Sequence, residues 1–199
     1  MIRLVVFILV VLSSCNRNNS TLPFLGHPTI SGTDTLYPTV PSFSFLNQDS
    51  GVITDRYFTD KIYVADFIFL SCPTICPKMT ANLKTVYEAY ATNNNVYFLS
   101  HTIDPERDSP SRLKRYTTHL NINTKKWNFV TGAQDSLFAI AKQGYFTNAY
   151  SDSTSPGGLV HSGGLLLVDK NKHIRGVYDG TNTEEMNRLK NEIAILLKE

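Results

Sequence analysis

"KIYVADFIFLSCPTICPKM", residues 61–79, joins a nearly continuous run of β-branched and aromatic residues to a pair of cysteines. The run over 61–70 is typical of a strand that is buried on both faces at the centre of a sheet. After the cysteines, apolar residues recur at helical spacing, at Met79, Leu83, Val86 and Tyr90. Cys72 and Cys76 therefore lie between a central strand and a helix, where open α/β sheets usually place their chemistry.

The rest of the sequence alternates between strand and helix patterns. Phe43 and Phe45 alternate with polar residues, and the apolar pattern resumes at Val52 after "QDSG", which predicts a β-hairpin. Buried strands are predicted at 95–103 and 127–132, helices at 109–120 and 135–143, a hairpin at 163–180 and an amphipathic helix at 183–198. This order predicts one α/β domain over residues 39–199, with a central mixed sheet flanked by helices and an N-terminal β-hairpin extension.

The first fourteen residues have the pattern of an export signal. Arg3 precedes the apolar stretch "LVVFILVVL" (4–12), which is too short to span a bilayer as a stable anchor. Cys15 then follows two serines, an arrangement that resembles the lipobox of bacterial lipoproteins. We expect residues 1–14 to be a signal peptide that is removed before a lipidated Cys15. The alternative is an ordinary secretory signal that contains a cysteine.

Residues 15–38 are predicted to connect this N-terminus to the domain. The segment is rich in Asn, Ser, Thr, Gly and Pro and has no apolar period, which is typical of a flexible tether. The alternative is that part of it packs on the domain as an irregular arm, through Phe24, Leu25 and Ile30.

The charge pattern argues against one class of partner. The formal net charge of the 199 residues is +2, and the sequence contains no basic run, so we expect no binding to nucleic acid. Membrane association would come from the lipid. Export would also place Cys72 and Cys76 in an oxidising environment, where the two thiols can form a disulfide.

Cys72 and Cys76 have three interpretations: a structural disulfide, a redox couple or a pair of metal ligands. If Pro73 lies near the first helical position, the two sulfurs lie one turn apart on one helix face, and the helix N-terminus favours thiolate. A structural disulfide is disfavoured, because closing so short a loop removes little entropy from the unfolded chain. The spacing has one residue more than the C-x-x-C of redox proteins. Two thiolates suit Cu(I), and an added imidazole suits copper in both oxidation states.

Five histidines could supply that imidazole: His27, His101, His119, His161 and His173. His161 lies in "SPGGLVHSGGLLLVD" (155–169), between two glycine pairs and just before a core strand. The glycines predict a loop that can swing. The alternative is that His161 only packs beside Leu159 and Val160.

Four segments, "CPTICPKM" (72–79), "TIDPERDSP" (102–110), "WNFVTG" (127–132) and "VHSGGLLLVD" (160–169), together resemble the SCO/SenC family of copper-binding proteins over roughly residues 40–198. The resemblance implies a thioredoxin-like fold and copper, as Cu(I) or Cu(II), held by Cys72, Cys76 and His161. Val160 stands where many members have an aspartate, which leaves this ligand set unchanged.

The resemblance also implies a function and a place in the cell. The expected function is that of a membrane-tethered copper chaperone that assists assembly of the copper A centre of cytochrome c oxidase. The expected partner is subunit II of the oxidase or another copper-accepting protein, and the expected location is the bacterial cell envelope, facing the periplasm. The alternative is a thiol–disulfide oxidoreductase in which Cys72 and Cys76 reduce the acceptor's cysteines, so enzymatic activity stays open.

The residue three positions before Cys72 bears on whether the protein reduces peroxide. A peroxiredoxin typically has Thr or Ser three residues before its nucleophile, and Phe69 occupies that position here, so peroxide reduction is disfavoured.

The charged cluster that follows the second predicted strand, Asp104, Glu106, Arg107 and Asp108, has two interpretations. It orients the site or docks a partner, or it is a loop tied by its own ion pairs and helix caps.

Overall fold

The computed structural model describes residues 21–152, 154 and 158–199. The predicted signal peptide and Cys15 lie outside these residues. The described α-helices are α1 (Ile75–Tyr90), α2 (Pro110–Leu120), α3 (Gln134–Ala139) and α4 (Thr183–Leu196); a 3-10 helix spans Asp55–Phe58, and a π-helical turn (Ile140–Gly144) continues α3. The described strands are β1 (Thr29–Ser31), β2 (Asp34–Leu36), β3 (Ser44–Asn47), β4 (Val52–Thr54), β5 (Ile62–Ile68), β6 (Val96–Thr102), β7 (Trp127–Thr131), β8 (Ala149–Ser151), β9 (Leu159–His161), β10 (Gly164–Val168) and β11 (Ile174–Asp179).

A seven-stranded mixed sheet forms the centre of the domain, in the order β11-β10-β5-β6-β7-β3-β4. Strands β5, β6 and β7 are parallel, and the other neighbouring strands are antiparallel. Every residue of β5 is buried, as its nearly continuous run of apolar residues predicts. The predicted hairpin is confirmed as β3 and β4, which extend the sheet beyond β7. The predicted α/β class with a central mixed sheet is confirmed.

The two faces of the sheet carry different layers, because successive strand residues point to opposite sides. Phe98 of β6 packs against Tyr87 of α1, with ring centroids 5.7 Å apart. His101, three residues further along β6, points to the other face and packs against Tyr145, which follows α3. α1 also contacts α4, where the Tyr90 hydroxyl donates to the Lys190 carbonyl at 2.7 Å. Within the described part of the chain, no helix has the length and apolarity needed to cross a bilayer.

The segment from residue 21 onwards packs on the domain around one buried arginine, Arg175 of β11. Its side chain is 4% exposed, and it donates to the carbonyl oxygens of Leu22 and Pro23 and forms ion pairs with Asp169 and Glu199. The backbone N–H of Leu25 donates to Ile174 at 2.9 Å. Leu22, Pro23 and Leu25 of the predicted tether therefore have the contacts of a packed arm, whereas Ile30 is 82% exposed and does not pack on the domain. The domain boundary at 38/39 stays a prediction.

Candidate metal centre

Cys72 reaches the site through a tight turn at the end of β5. The backbone N–H of Cys72 donates to the carbonyl of Phe69 at 3.1 Å, which closes a turn with Leu70 and Ser71 at its centre. Helix α1 begins only at Ile75. Pro73 therefore lies just before the helix rather than within it: Cys72 precedes the helix, and Cys76 lies in its first turn.

The structure brings the three predicted ligand residues together. The Sγ atoms of Cys72 and Cys76 and a ring nitrogen of His161 all lie within 4.8 Å of one another. Nε2 of His161 is 3.0 Å from Sγ of Cys76. All three residues are buried, and both cysteines are free thiols. This arrangement leaves the thiols available either for a metal ion or for a disulfide.

His161 is held by a small sheet rather than by a swinging loop. It is the last residue of β9, and it pairs with Ala149 of β8. The next residue, Ser162, donates its backbone N–H to Asn148 at 3.1 Å. The expected loop is therefore a short antiparallel ladder, because residues 149–151 supply a pairing partner that the local glycines do not reveal. This ladder sets the position of the imidazole.

The hydrogen bonds of His161 fix its tautomer. Nδ1 lies 2.9 Å from the carbonyl oxygen of Ser162, which can only accept, so Nδ1 carries the proton. Nε2 then presents its lone pair to Cys76, whose S–H donates to it at 3.0 Å. Burial lowers the pKa of His161, and the Ser162 carbonyl offsets part of this effect. The imidazole is therefore neutral near pH 7 and has the protonation state of a metal ligand.

The two thiols have opposite electrostatic environments. Burial alone would raise the pKa of Cys72, but the backbone N–H groups of Cys76 and Thr74 point at its sulfur, and the net pKa is lowered. Burial raises the pKa of Cys76 far above its ordinary value; the N–H of Phe69 offsets part of this, and the neighbouring Cys72 adds to it. Cys72 is therefore the more nucleophilic thiol of the metal-free protein near neutral pH.

Apolar side chains line the mouth of the site. A shallow cavity of about 160 Å³ opens beside Cys72 and His161, and its walls include Phe69, Ile75 and Leu159. The ring of Phe69 meets the imidazole of His161 edge-on, with centroids 5.8 Å apart. Phe69, the residue whose position disfavours a peroxiredoxin, therefore packs against His161. The walls keep water away from one side of the site, which strengthens interactions among its polar groups.

The acidic-basic cluster separates into two parts. Asp104 and Arg107 form an ion pair at 3.2 Å in which Arg107 is largely exposed. Asp108 is fully buried, and its carboxylate accepts a hydrogen bond from the backbone N–H of Leu70 at 3.0 Å. The Asp104–Arg107 pair matches the interpretation of a loop that is held by its own ion pairs. Asp108 contacts the turn that carries Cys72.

The other four histidines lie away from the cysteines. His27 and His119 are exposed, and His173 is half-buried in the β10–β11 turn, where its Nδ1 lies 3.1 Å from the carbonyl oxygen of Pro38. His101 lies in β6, within the buried strand predicted at 95–103, and its ring stacks on Phe67.

Sequence reasoning also missed residues that contact the cysteines or the turn before them. Thr74 lies 3.7 Å from the sulfur of Cys72, and Arg112 donates to the hydroxyl of Ser71 at 3.1 Å. The spacing of Asp108 and Arg112, four residues apart at a helix start, was a signal that they act together. Nothing local in the sequence indicated that their common target is the turn before Cys72.

Comparisons with known proteins show which family this chain resembles. The family model described as SCO1/SenC matches residues 32–197. Among curated proteins, the SCO1 protein homolog of Bacillus subtilis (strain 168) is 29% identical over 148 residues, which cover 74% of this chain and 77% of that protein.

Two solved structures extend the agreement to the fold. A SCO1/SenC family lipoprotein from Bacillus anthracis str. Ames superimposes with a TM-score of 0.71 at 28% identity, covering 79% of this chain and 94% of that one. BsSco, a Sco-family cytochrome c oxidase assembly protein in which a disulfide switch was identified, superimposes with a TM-score of 0.69 at 26% identity, covering 81% and 95%. The predicted thioredoxin-like fold is confirmed. With the family model spanning most of its length, this chain belongs to the SCO1/SenC family.

Proposed function

We propose that this protein binds one copper ion through Cys72, Cys76 and His161 and delivers it to a copper-accepting protein during assembly of cytochrome c oxidase. The acceptor would be subunit II of the oxidase, at its copper A centre. A lipid on Cys15 would hold the protein at the periplasmic side of a membrane of the bacterial cell envelope.

One observation carries the proposal: two thiol sulfurs and one imidazole nitrogen lie within 4.8 Å of one another in a buried cluster. Thiolates favour Cu(I), and the imidazole adds a ligand that Cu(II) accepts readily. Nε2 of His161 already faces Cys76 with its lone pair, because the Ser162 carbonyl holds the proton on Nδ1. The donor set and its protonation therefore fit copper, provided that both thiols lose their protons on binding.

The site is also suited to transferring the metal to an acceptor. Only three ligand residues converge, so an acceptor's thiolate could add to the copper ion before a ligand of this chain leaves. Cys72 and His161 both border the open cavity and Cys76 does not, but Cys72 alone of the three lies outside a helix or strand, on the turn before α1. Ligand exchange would therefore begin on the Cys72 side.

Copper titration of the metal-free protein tests the proposal. We expect one copper per chain, and X-ray absorption should give two sulfur neighbours and one nitrogen neighbour from the protein. A stoichiometry near zero in the presence of reductant, or a first shell without sulfur, would refute copper binding at this site.

The second candidate function is reduction of the acceptor's disulfide, and the contrast between the two thiols favours it. The Cys72 thiolate would attack the acceptor disulfide, forming a mixed disulfide and releasing one acceptor thiolate. Cys76, after losing its proton, would attack the Cys72 sulfur, forming the Cys72–Cys76 disulfide and releasing the second acceptor thiol. Two electrons pass to the acceptor in this exchange. The disulfide switch identified in BsSco supports this alternative.

A direct comparison separates the two functions. Reduced, copper-free protein is mixed with an oxidised acceptor peptide containing two cysteines, and the peptide's free thiols are counted. Stoichiometric release of thiols without copper would support reduction, whereas an unchanged peptide would leave copper delivery as the function.

A further inference from the structure

The turn that carries Cys72 is held from outside by two side chains at the start of α2. Leu70 and Ser71 are its central residues, and the Cys72 N–H closes it onto Phe69. Neither central residue is part of a helix or strand, so the local chain alone leaves the turn free to change shape. Contacts from elsewhere decide where Cys72 lies.

Asp108 provides the first contact. One oxygen of its carboxylate, Oδ2, accepts from the backbone N–H of Leu70 at 3.0 Å and from the hydroxyl of Thr102 at 2.7 Å. The residue is fully buried. A buried carboxylate is costly unless it is hydrogen-bonded and paired with a positive charge. Its hydrogen bonds therefore tie the Cys72 turn to the end of β6.

Arg112 provides the second contact. Its Nη2 donates to the hydroxyl of Ser71 at 3.1 Å, and its Nε lies 3.7 Å from Oδ1 of Asp108. The guanidinium therefore supplies the positive charge that the buried carboxylate needs, and it reaches the second central residue of the turn. Asp108 and Arg112 together contact both Leu70 and Ser71, the two residues directly before Cys72.

We propose that Asp108 and Arg112 are positioning residues that clamp the Leu70–Ser71 turn and thereby fix the Cys72 sulfur relative to Cys76 and His161. The clamp acts on Cys72 in particular, because Cys76 is held by α1 and His161 by the β8–β9 ladder. The functional meaning of this clamp rests on the proposed copper site, whereas the contacts that form it belong to the folded chain itself.

The first test measures thiol accessibility without metal. The full chain and its Arg112→Gln and Asp108→Asn variants are treated with iodoacetamide at one pH, and peptide mass spectrometry gives the alkylation rates of Cys72 and Cys76. We expect the ratio of the Cys72 rate to the Cys76 rate to rise several-fold in both variants. An unchanged ratio, or a parallel rise for both thiols, would overturn the clamp, because the latter is what general destabilisation produces.

Two further variants keep this test informative. Ser71→Ala removes only the hydroxyl that Arg112 contacts, at a half-buried position where folding should survive, and it should raise the ratio in the same direction. Arg107→Gln breaks the Asp104–Arg107 pair in the same loop without contacting the cysteine turn, so its ratio should equal that of the wild type. A rise for Arg107→Gln equal to that for Arg112→Gln would also overturn the proposal.

The second test uses copper. Replacing groups that orient metal ligands typically weakens metal binding by about 10–100-fold. We expect Arg112→Gln and Asp108→Asn to weaken Cu(II) binding by about tenfold and to shift the thiolate-to-copper charge-transfer band, while Arg107→Gln changes neither. Wild-type affinity and spectrum in both clamp variants would overturn the proposal. If the wild type itself bound no copper, the proposed function would fail, and the alkylation ratios would still decide on the clamp.

Discussion

Nε2 of His161 lies 3.0 Å from Sγ of Cys76, although 85 residues separate them in the sequence. The two residues come from the first turn of α1 and from the end of β9, and neither belongs to a freely moving loop. Two of the three proposed copper ligands are therefore brought into contact by the fold itself. Such preorganisation lowers the cost of ordering ligands when the metal binds.

Replacing His161 by Ala should separate copper binding from thiol chemistry. The variant keeps both thiols but loses the imidazole that suits Cu(II). Loss of a residue that only orients a metal ligand weakens metal binding by up to about 100-fold, so loss of the ligand itself should weaken Cu(II) binding by at least about 100-fold. The Cys72–Cys76 disulfide should still form. Chelator competition gives the affinity, and titration with a dithiol redox buffer gives the disulfide potential.

His119→Ala is the matched control for this change, because His119 is exposed on α2 and is not part of the Cys72–Cys76–His161 cluster. Its Cu(II) affinity should equal that of the wild type. Full Cu(II) affinity in His161→Ala would remove His161 from the ligand set.

Asp66 should make stability depend on pH. It lies in β5, and burial raises the pKa of its carboxyl from 3.8 to about 7. Between these two values the folded protein holds a proton that the unfolded chain has lost, so Asp66 contributes stability at low pH that is lost as the pH rises towards 7. Asp66→Asn carries no such proton. Its stability relative to the wild type should therefore increase between pH 4 and pH 8, by up to about 4 kcal/mol.

Urea unfolding at several pH values measures this difference. The exposed Asp60, replaced by Asn, serves as the control for removing a carboxylate that is not buried. A constant difference between Asp66→Asn and the wild type over the same pH range would show that Asp66 titrates normally in the folded protein.

Arg175→Met should destabilise the domain and release residues 22–25. The substitution leaves the carboxylates of Asp169 and Glu199 without their shared guanidinium and removes two hydrogen bonds to the arm. Breaking a buried ion pair by removing one partner costs roughly 3–5 kcal/mol. Urea unfolding should show a loss of this size, and limited proteolysis should cut the arm sooner.

Arg188→Met is the comparison for Arg175. Arg188 also bridges two carboxylates, those of Glu185 and Glu192, but its side chain is 41% exposed. Exposed pairs contribute about 0–1 kcal/mol, so this variant should lose far less stability. Equal losses in the two variants would contradict the larger contribution expected of the buried Arg175.

Cys15→Ser tests the proposed lipid anchor. Without the cysteine thiol no lipid can be attached, so the protein should move from the membrane fraction to the soluble fraction of lysed cells. Cys72→Ser keeps the anchor and should stay with the membranes. An unchanged membrane fraction for Cys15→Ser would refute attachment through this residue.

Much of the fold follows from local patterns. The buried run at 61–70 gave β5 as Ile62–Ile68, and Ser109 before Pro110 gave a helix that begins at Pro110. These predictions succeed because a continuous apolar run or a cap depends on residues that are adjacent in sequence. Helix α1 begins at Ile75, two residues after Pro73, because a turn from Phe69 to Cys72 lies between β5 and the helix.

The site was predicted less completely, because its supports come from distant segments. His161 was expected in a mobile loop, and pairing between β8 and β9 places it in a ladder instead. The resemblance to a known family, not spacing, singled it out among five histidines. The contact of Asp108 with Leu70 depends on β5 and β6 being parallel neighbours, so that the carboxyl ends of both strands lie at one edge of the sheet.

By itself, the sequence determined the chemical identity of the site's residues and the local elements that carry them: two thiols after a buried strand, and an imidazole before another. The tertiary structure decided their distances, the tautomer of His161 and the opposite pKa shifts of Cys72 and Cys76. The physical reason is one of range. Periodicity and caps act within a few residues, whereas burial and hydrogen bonds between strands depend on segments that only folding brings together.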